Sequence, residues 1–238
     1  MAESKIITIV YASLGGIIPT LFWLWFWLKN DKENPEPAGL IFLSFIMGAG
    51  SVLLAIPLQK FVSTFGFDSN IQMTIWATIE EVLKYLAVVI IAFGSRYLDE
   101  PIDYPMYLIA GALGFAALEN TFFLLQPLGA GETTLTLITG NLRFIGSTLL
   151  HAIASGSLGI FIGLSYYEGW FMKKTYLLFG LISAIVLHTV FNFFIMRDEG
   201  RSIWSALGFI WVVGVIVVLL LEKLRRMYKP QNTNNTYA

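Results

Sequence analysis

The most regular feature of the sequence is a series of long apolar runs, separated by short segments that carry charges and prolines. A helix that crosses a bilayer needs about 20 mainly apolar residues, each with about 1.5 Å of rise. Seven runs predict transmembrane helices, over residues 6–28, 38–62, 75–93, 105–126, 142–167, 175–196 and 203–221. The apolar stretch at 133–140 is too short to span, and we interpret it as a re-entrant or interfacial turn and a possible eighth element.

Composition agrees with this membrane interpretation. Hydrophobic residues make up 56% of the 238 residues and charged residues 13%, with a mean hydropathy of +0.70, whereas soluble domains average about 25% charged residues. The first run ends in Trp23, Trp25 and Trp27 without a small-residue cleavage site, so we expect a retained helix. The predicted fold class is all-α, a polytopic transmembrane helix bundle. We expect one domain over residues 1–229 and a disordered polar tail over 230–238.

Charge and cysteine content exclude several functions. The net charge is -1 and the basic residues are scattered through short loops, so no surface suited to nucleic acid is expected. The chain has no cysteine, which excludes thiol nucleophiles, disulfides and cysteine metal sites. Of the 15 basic residues, nine fall on one side of the predicted spans and five on the other. The excess of positive charge predicts an external N-terminus and a cytoplasmic C-terminus in a cell membrane.

A small set of ionisable and amide side chains lies inside the predicted helices. A charge at the centre of a membrane helix costs about 2.5–3.5 kcal/mol on insertion scales, so such groups usually face a partner or a water-filled cavity. The set consists of Glu80, Glu81, Lys84, Glu119, Asn120, His151, His188 and Asn192. Part of it has a purely structural explanation, because Glu80 and Lys84 are four residues apart and can form an intrahelical ion pair.

Four of these groups lie at similar depth in four successive helices. At about 1.5 Å per residue, Glu80 and His151 lie about 8 and 13 Å from the start of their helices. Glu119 and His188 lie about 10 and 12 Å from the end of theirs. Because successive helices alternate in direction, we expect all four at one membrane face, the extracytoplasmic one in the predicted orientation. Arg143 falls near a predicted helix boundary and needs no functional role.

A pocket with two carboxylates and two imidazoles is compatible with two chemistries. A carboxylate can take a proton from water as general base while histidine and asparagine stabilise an oxyanion. Alternatively, glutamate and histidine side chains can bind Zn²⁺, which turns water into a better nucleophile. The spacing of the residues does not decide between the two. The H-E-x-x-H motif of helical zinc proteases is absent from the sequence.

The order of the motifs resembles that of a known family. Residues 80–84 read E-E-x-x-K, residues 115–119 read F-x-x-x-E, and residues 188–192 read H-x-x-x-N, with His151 alone in the helix between. With the Asn-Pro-Glu-Pro turn at 34–37, they resemble the PrsW protease family, a branch of the CAAX-protease and bacteriocin-processing superfamily of intramembrane endopeptidases. The resemblance implies cleavage of a membrane-anchored protein within the bilayer, similar to site-1 cleavage of an anti-sigma factor.

The resemblance also implies roles for the residues of the first and last motifs. Glu80 is then the water-activating base, and Glu81 supports it or binds with it. Lys84 pairs with the carboxylates. His188 and Asn192 are expected to form the oxyanion site, where they stabilise the charge that develops on the peptide carbonyl.

The two middle positions are less directly defined by the resemblance. His151 is expected to hold the water or the substrate. Glu119 stands where the wider superfamily has histidine, so the mechanism of the prenyl-protein endopeptidases does not transfer directly. The family is described both as glutamate-dependent and as metal-dependent. If a metal such as zinc binds, the candidate ligands are Glu81, Glu119, His151 and His188.

Two other functional classes are compatible with buried glutamate and histidine. An ion- or proton-coupled transporter would use them as a relay, but it needs a path open to both faces, whereas these groups cluster towards one. Proton flux in sealed liposomes would favour this class. A non-catalytic membrane scaffold would keep the pocket as a structural polar network, and it would retain no cleavage activity.

Overall fold

The protein is a bundle of long helices in the computed structural model, which describes residues 2–29, 34–196 and 203–227. The regular structure of these residues is entirely helical, which confirms the predicted all-α polytopic fold. The helices are α1 (Ala2–Leu28), α2 (Ala38–Ser63), α3 (Ser69–Ala92), α4 (Asp103–Gly129), α5 (Thr133–Leu142), α6 (Thr148–Leu164), α7 (Trp170–Met196) and α8 (Ile203–Met227). The tail predicted at 230–238 lies outside the described residues.

Most of the predicted spans correspond to helices that can cross a membrane. Among the described residues, six helices are long and apolar enough to do so. One of these six is the continuous helix that α5 and α6 form together. Helix α3 is also long enough, with 24 residues, but it carries Glu80, Glu81 and Lys84 near its middle. It begins at Ser69, earlier than the predicted residue 75, because the Asp68 side chain caps it by accepting the Asn70 N–H at 2.9 Å.

The largest departure from the predicted elements lies between α4 and α6. Residues 133–140 are not a separate turn: α5 continues through a π-helical turn, Arg143–Ser147, into α6, so that one helix of 32 residues runs over Thr133–Leu164. No proline interrupts this stretch. The Trp23 indole of α1 donates to the carbonyl oxygen of Phe144 at 3.0 Å, which ties the π-helical turn to the bundle.

Helix α4 lies at the centre of the bundle and packs against α1, α2 and α6. Its contact with α2 is very close: a Cβ atom on Gly114 would lie 1.8 Å from the Phe45 carbonyl oxygen, and one on Gly48 would lie 1.9 Å from that of Gly111. Only glycine allows the two backbones to meet in this way, as is common in membrane helix pairs. This packing brings α2 within reach of the polar residues of α3 and α4.

Candidate active site

Glu81 on α3 is the most completely bonded carboxylate of the polar cluster. Its Oε1 accepts hydrogen bonds from Lys84 Nζ at 2.5 Å and from His188 Nδ1 at 2.7 Å, and its Oε2 accepts one from Ser155 Oγ at 3.1 Å. The Glu81 and Lys84 side chains are fully buried. Glu81 therefore links α3 to α6 and α7, and its oxygens are directed at protein donors.

The hydrogen bond to Glu81 sets the tautomer of His188. Because a carboxylate only accepts, His188 Nδ1 must carry the proton, and Nε2 of the neutral ring presents a lone pair. That Nε2 atom lies 3.7 Å from Glu80 Oε2. His188 is buried, with its side chain 3% exposed. The arrangement leaves His188 Nε2 and Glu80 Oε2 facing each other, close enough for a single metal ion to contact both.

Only one oxygen of the Glu80 carboxylate has a hydrogen-bond partner among the described residues. Its Oε1 accepts a hydrogen bond from Gln59 Nε2 of α2 at 2.8 Å. Its Oε2 is buried and has no hydrogen-bond partner among the described residues. Buried polar atoms without a partner are rare in native proteins, and they often mark a place for a water, an ion or a substrate.

His151 on α6 has a neighbour at each ring nitrogen. Lys84 Nζ lies 2.9 Å from its Nδ1, and Glu119 Oε2 lies 3.2 Å from its Nε2. An ammonium group only donates, so His151 Nδ1 accepts and Nε2 carries the proton that is donated to Glu119. The tautomer of His151 is thus the opposite of that of His188, and the two rings meet edge to face at 5.2 Å.

The π-helical turn brings Arg143 into the same cluster. Its guanidinium pairs with Glu119 Oε2, donates from Nε to Asn120 Oδ1 at 2.5 Å, and lies 3.9 Å from the centre of the Phe123 ring. Asn120 in turn donates to Thr148 Oγ1 at 2.9 Å. The expectation that Arg143 needs no functional role overlooked these contacts. Its signal in the sequence is weak, because the residue lies in a segment predicted as a helix boundary.

These side chains open onto a cavity of about 670 Å³. Glu80, Glu119, Arg143, His151 and Asn192 line it together with His188, whereas Glu81 and Lys84 are not among its lining residues. The rest of the lining is mainly apolar, with side chains of α2, α4 and α7 that include Val52, Ile56, Phe122, Phe123 and Ile195. The structure thus brings the motif residues together, with Glu81 and Lys84 outside the cavity lining but in contact with His188 and His151.

Three of these residues lie close enough together to form a candidate metal site. Glu80, His151 and His188 each offer one ligand atom, and the three atoms lie within 4.8 Å of one another. The unpartnered Glu80 oxygen and the lone pair of His188 fit such a site directly, whereas His151 would exchange its contact with Glu119 or Lys84 for the metal. Glu81 and Glu119, which the sequence also offers as ligands, point towards lysine, histidine and arginine instead.

A bundle of membrane-spanning helices around such a cavity is typical of an intramembrane hydrolase. The family described as PrsW family intramembrane metalloprotease matches residues 36–221. The chain belongs to this family, which confirms the resemblance drawn from its motifs, and it is therefore a peptidase.

The relatives cover nearly the whole chain. It is 26% identical to Protease PrsW of Clostridioides difficile (strain 630), over 90% of both chains. It is 28% identical to Protease PrsW of Oceanobacillus iheyensis, over 89% of this chain and 94% of the relative. It is 25% identical to Protease PrsW of Bacillus subtilis (strain 168), over 92% of this chain and 95% of the relative. No solved structure matches the chain.

Proposed function

We propose that this intramembrane protease hydrolyses a peptide bond of a membrane-anchored protein with water activated at Glu80. The observation that carries the proposal is the Glu80 Oε2 atom, which is buried beside the 670 Å³ cavity and has no hydrogen-bond partner in the part of the chain that the structure describes. A carboxylate oxygen in that position can accept a proton from water. The apolar part of the cavity lining suits the side chains of a membrane-embedded segment.

Without a metal, the oxyanion would be stabilised by donors of the cavity wall. Asn192 lies one helical turn after His188, and both residues line the cavity. His188 can donate from Nε2 to the oxyanion only when both of its ring nitrogens carry a proton; its Nδ1 faces Glu81 and its Nε2 faces Glu80. In this version the protonated ring is the electrophilic group and Glu80 is the base.

With a metal, the same residues take different tasks. Glu80, His188 and His151 would hold a Zn²⁺ ion, which would supply a Lewis acid for the peptide carbonyl and for water. Glu81 would orient His188 through the Nδ1 proton, as carboxylates commonly do for metal-binding histidines. Glu119, which lines the cavity beside His151, would be the remaining carboxylate for proton transfer. The family's description as metalloproteases supports this version.

The decisive experiment combines metal content with cleavage. Purified protein is analysed for zinc and assayed on single-span reporter peptides with and without chelator, beside the variants Glu80→Gln and Glu132→Gln. Glu80→Gln should lower cleavage about 10²–10⁴-fold, because the amide has no basic oxygen. Glu132→Gln, which changes an exposed carboxylate before α5, is the matched control and should cleave normally.

The possible results separate the versions of the proposal. Full activity of Glu80→Gln would exclude the assignment of Glu80. Stoichiometric zinc together with inhibition by chelator would establish the metal-dependent version. Cleavage that persists in metal-free protein and is lost in Glu80→Gln would establish a glutamate-dependent one.

We further propose that residues 1–229 form one protease domain in the cell membrane, with the N-terminus outside and the active site facing the extracytoplasmic side. The substrate would be a membrane protein similar to an anti-sigma factor, a proposal that rests on the family resemblance. The chain contains no cysteine, so single cysteines introduced at either end can be labelled with an impermeant reagent in intact cells. Labelling at the C-terminal end alone would contradict the orientation.

A further inference from the structure

Helix α2 carries none of the motif residues, yet it supplies a contact to Glu80. Gln59 Nε2 donates to Glu80 Oε1 at 2.8 Å, and both residues line the 670 Å³ cavity. Gln59 itself is anchored to α3, because the Trp76 indole donates to the Gln59 backbone oxygen at 3.2 Å. Trp76 lies one helical turn before Glu80, so the contact is made at the level of the candidate base.

A carboxylate without such a contact has no fixed orientation. The last torsion of a glutamate side chain is broad and nearly two-fold, so its two oxygens exchange easily. A donor on Oε1 removes this freedom, and it leaves Oε2 directed at the space beside His188 Nε2, 3.7 Å away. The bond from Gln59 therefore fixes the plane of the carboxylate and the position of the oxygen that is available for water or a metal.

The chemical type of the donor also matters. An arginine or lysine at this position would form an ion pair with Glu80 and lower its basicity. The amide of Gln59 donates a hydrogen bond without adding a positive charge, so that the carboxylate is oriented and remains a base. Glu81, by contrast, is held by the ammonium of Lys84 and serves as a structural acceptor.

We propose that Gln59 is a positioning residue that orients the Glu80 carboxylate for the reaction. This inference rests on the proposed function of Glu80. Gln59 acts through Glu80, and its loss should therefore slow the chemical step without weakening substrate binding.

The test compares Gln59→Leu with Gln72→Leu in steady-state cleavage of a single-span reporter. Gln72 is a matched control, because its Nε2 also links α3 to α2, through Ser63 Oγ at 3.0 Å, but it does not line the cavity. Gln59→Leu should lower kcat about ten- to hundredfold with KM within about twofold, the size expected for one hydrogen bond to a charged group. Gln72→Leu should keep both constants.

A second variant tests the mechanism through the pH profile. In Gln59→Glu the introduced carboxyl group can donate to Glu80 only when it is protonated, and it repels Glu80 when it is ionised. The kcat of its folded fraction, relative to that of the unaltered protein, should therefore rise as the pH falls, whereas a merely structural role of Gln59 would change the folded fraction and leave this kcat unchanged. Gln59→Glu also provides a test of the positioning role if Gln59→Leu fails to fold.

Each result bears on the inference separately from the proposed function. Normal kcat in Gln59→Leu, with Glu80→Gln inactive, would overturn the positioning role alone. A rise in KM at unchanged kcat would also overturn it, because Gln59 would then contact the substrate. An active Glu80→Gln variant would remove the proposed function on which the inference rests.

Discussion

Two groups of polar side chains lie at different levels of α4, and the rise from Asp103 in one to Glu119 in the other is about 24 Å at 1.5 Å per residue. The active-site cluster contains Glu80, Glu81, Lys84, Glu119, Arg143, His151 and His188. The loop cluster contains Asn34, Glu36, Asp99, Glu100, Asp103 and Tyr107.

In the loop cluster, Asp103 Oδ2 accepts the backbone N–H groups of Asp99 and Glu100 at 2.8 and 2.6 Å. Asn34 donates to Glu100 Oε1 at 2.8 Å, and the Tyr107 hydroxyl donates to Glu36.

The two clusters differ in what their carboxylates do. In the loop cluster, Glu36, Glu100 and Asp103 accept N–H or O–H groups, and none of the cluster's residues is among those that line the 670 Å³ cavity. In the active-site cluster, Glu80 keeps an unpartnered oxygen at that cavity. Burial of acidic residues alone therefore does not distinguish the two clusters. An unpartnered buried oxygen beside a cavity does, and it makes Glu80 the candidate for catalysis.

The largest effect is expected from Glu81→Gln in the active-site cluster. The substitution leaves Lys84 without its carboxylate partner inside the bundle, so the free energy of unfolding should fall by about 3–5 kcal/mol, and cleavage should be lost with it. Thermal unfolding in detergent and reporter cleavage check the two effects. An unchanged free energy of unfolding would mean that Glu81 does not hold the active-site cluster together, and it would contradict the distinction between Glu81 and Glu80.

Arg143→Gln should have the next largest effect. It removes the charge that holds Glu119 against His151, so kcat should fall about tenfold and the free energy of unfolding by about 2 kcal/mol. Arg143→Lys keeps the charge and should recover part of the loss, although it cannot bond Glu119 and Asn120 together as the guanidinium does. Equal loss in both variants would show that charge is not what Arg143 contributes.

Asp103→Asn tests the loop cluster. The amide oxygen still accepts from the backbone, but the charge is lost, so we expect the free energy of unfolding to fall by about 1 kcal/mol. Cleavage by the folded protein should stay within about twofold of normal, because Asp103 does not reach the cavity. A large loss of kcat in the folded variant would mean that the two clusters are coupled.

Tyr107→Phe should have the smallest effect, a loss of about 0.5–1 kcal/mol in the free energy of unfolding. Burial raises the pKa of Glu36, while the hydrogen bond from Tyr107 partly lowers it. Because that bond favours the ionised carboxylate, the loss should be largest where Glu36 is ionised and should shrink as the pH falls and it becomes protonated. Unfolding of both proteins across this pH range, together with unchanged cleavage, is the measurement. A loss that grows towards low pH would contradict the assignment.

Much of the fold and the residues of the site follow from the sequence alone. The apolar runs determine the number of long helices, since length and hydropathy are local properties. Helical rise and alternating direction bring Glu80, Glu119, His151 and His188 to one depth, and the structure brings them into contact. The continuous helix through α5 and the π-helical turn did not follow, because 133–140 is short and only weakly apolar.

Only the tertiary structure decided how the cluster is connected. The rotation of each helix about its axis decides where the free oxygen of Glu80 points and which nitrogen of each histidine carries the proton. It also decides that Glu81 and Glu119 are each turned to a cation. Gln59 and Arg143 reach the site from α2 and the π-helical turn, across helix contacts that no spacing in one segment encodes. The sequence alone determined which residues are present at each depth. The packing of helices, set by close contacts such as Gly114 on Phe45, determined which of them touch.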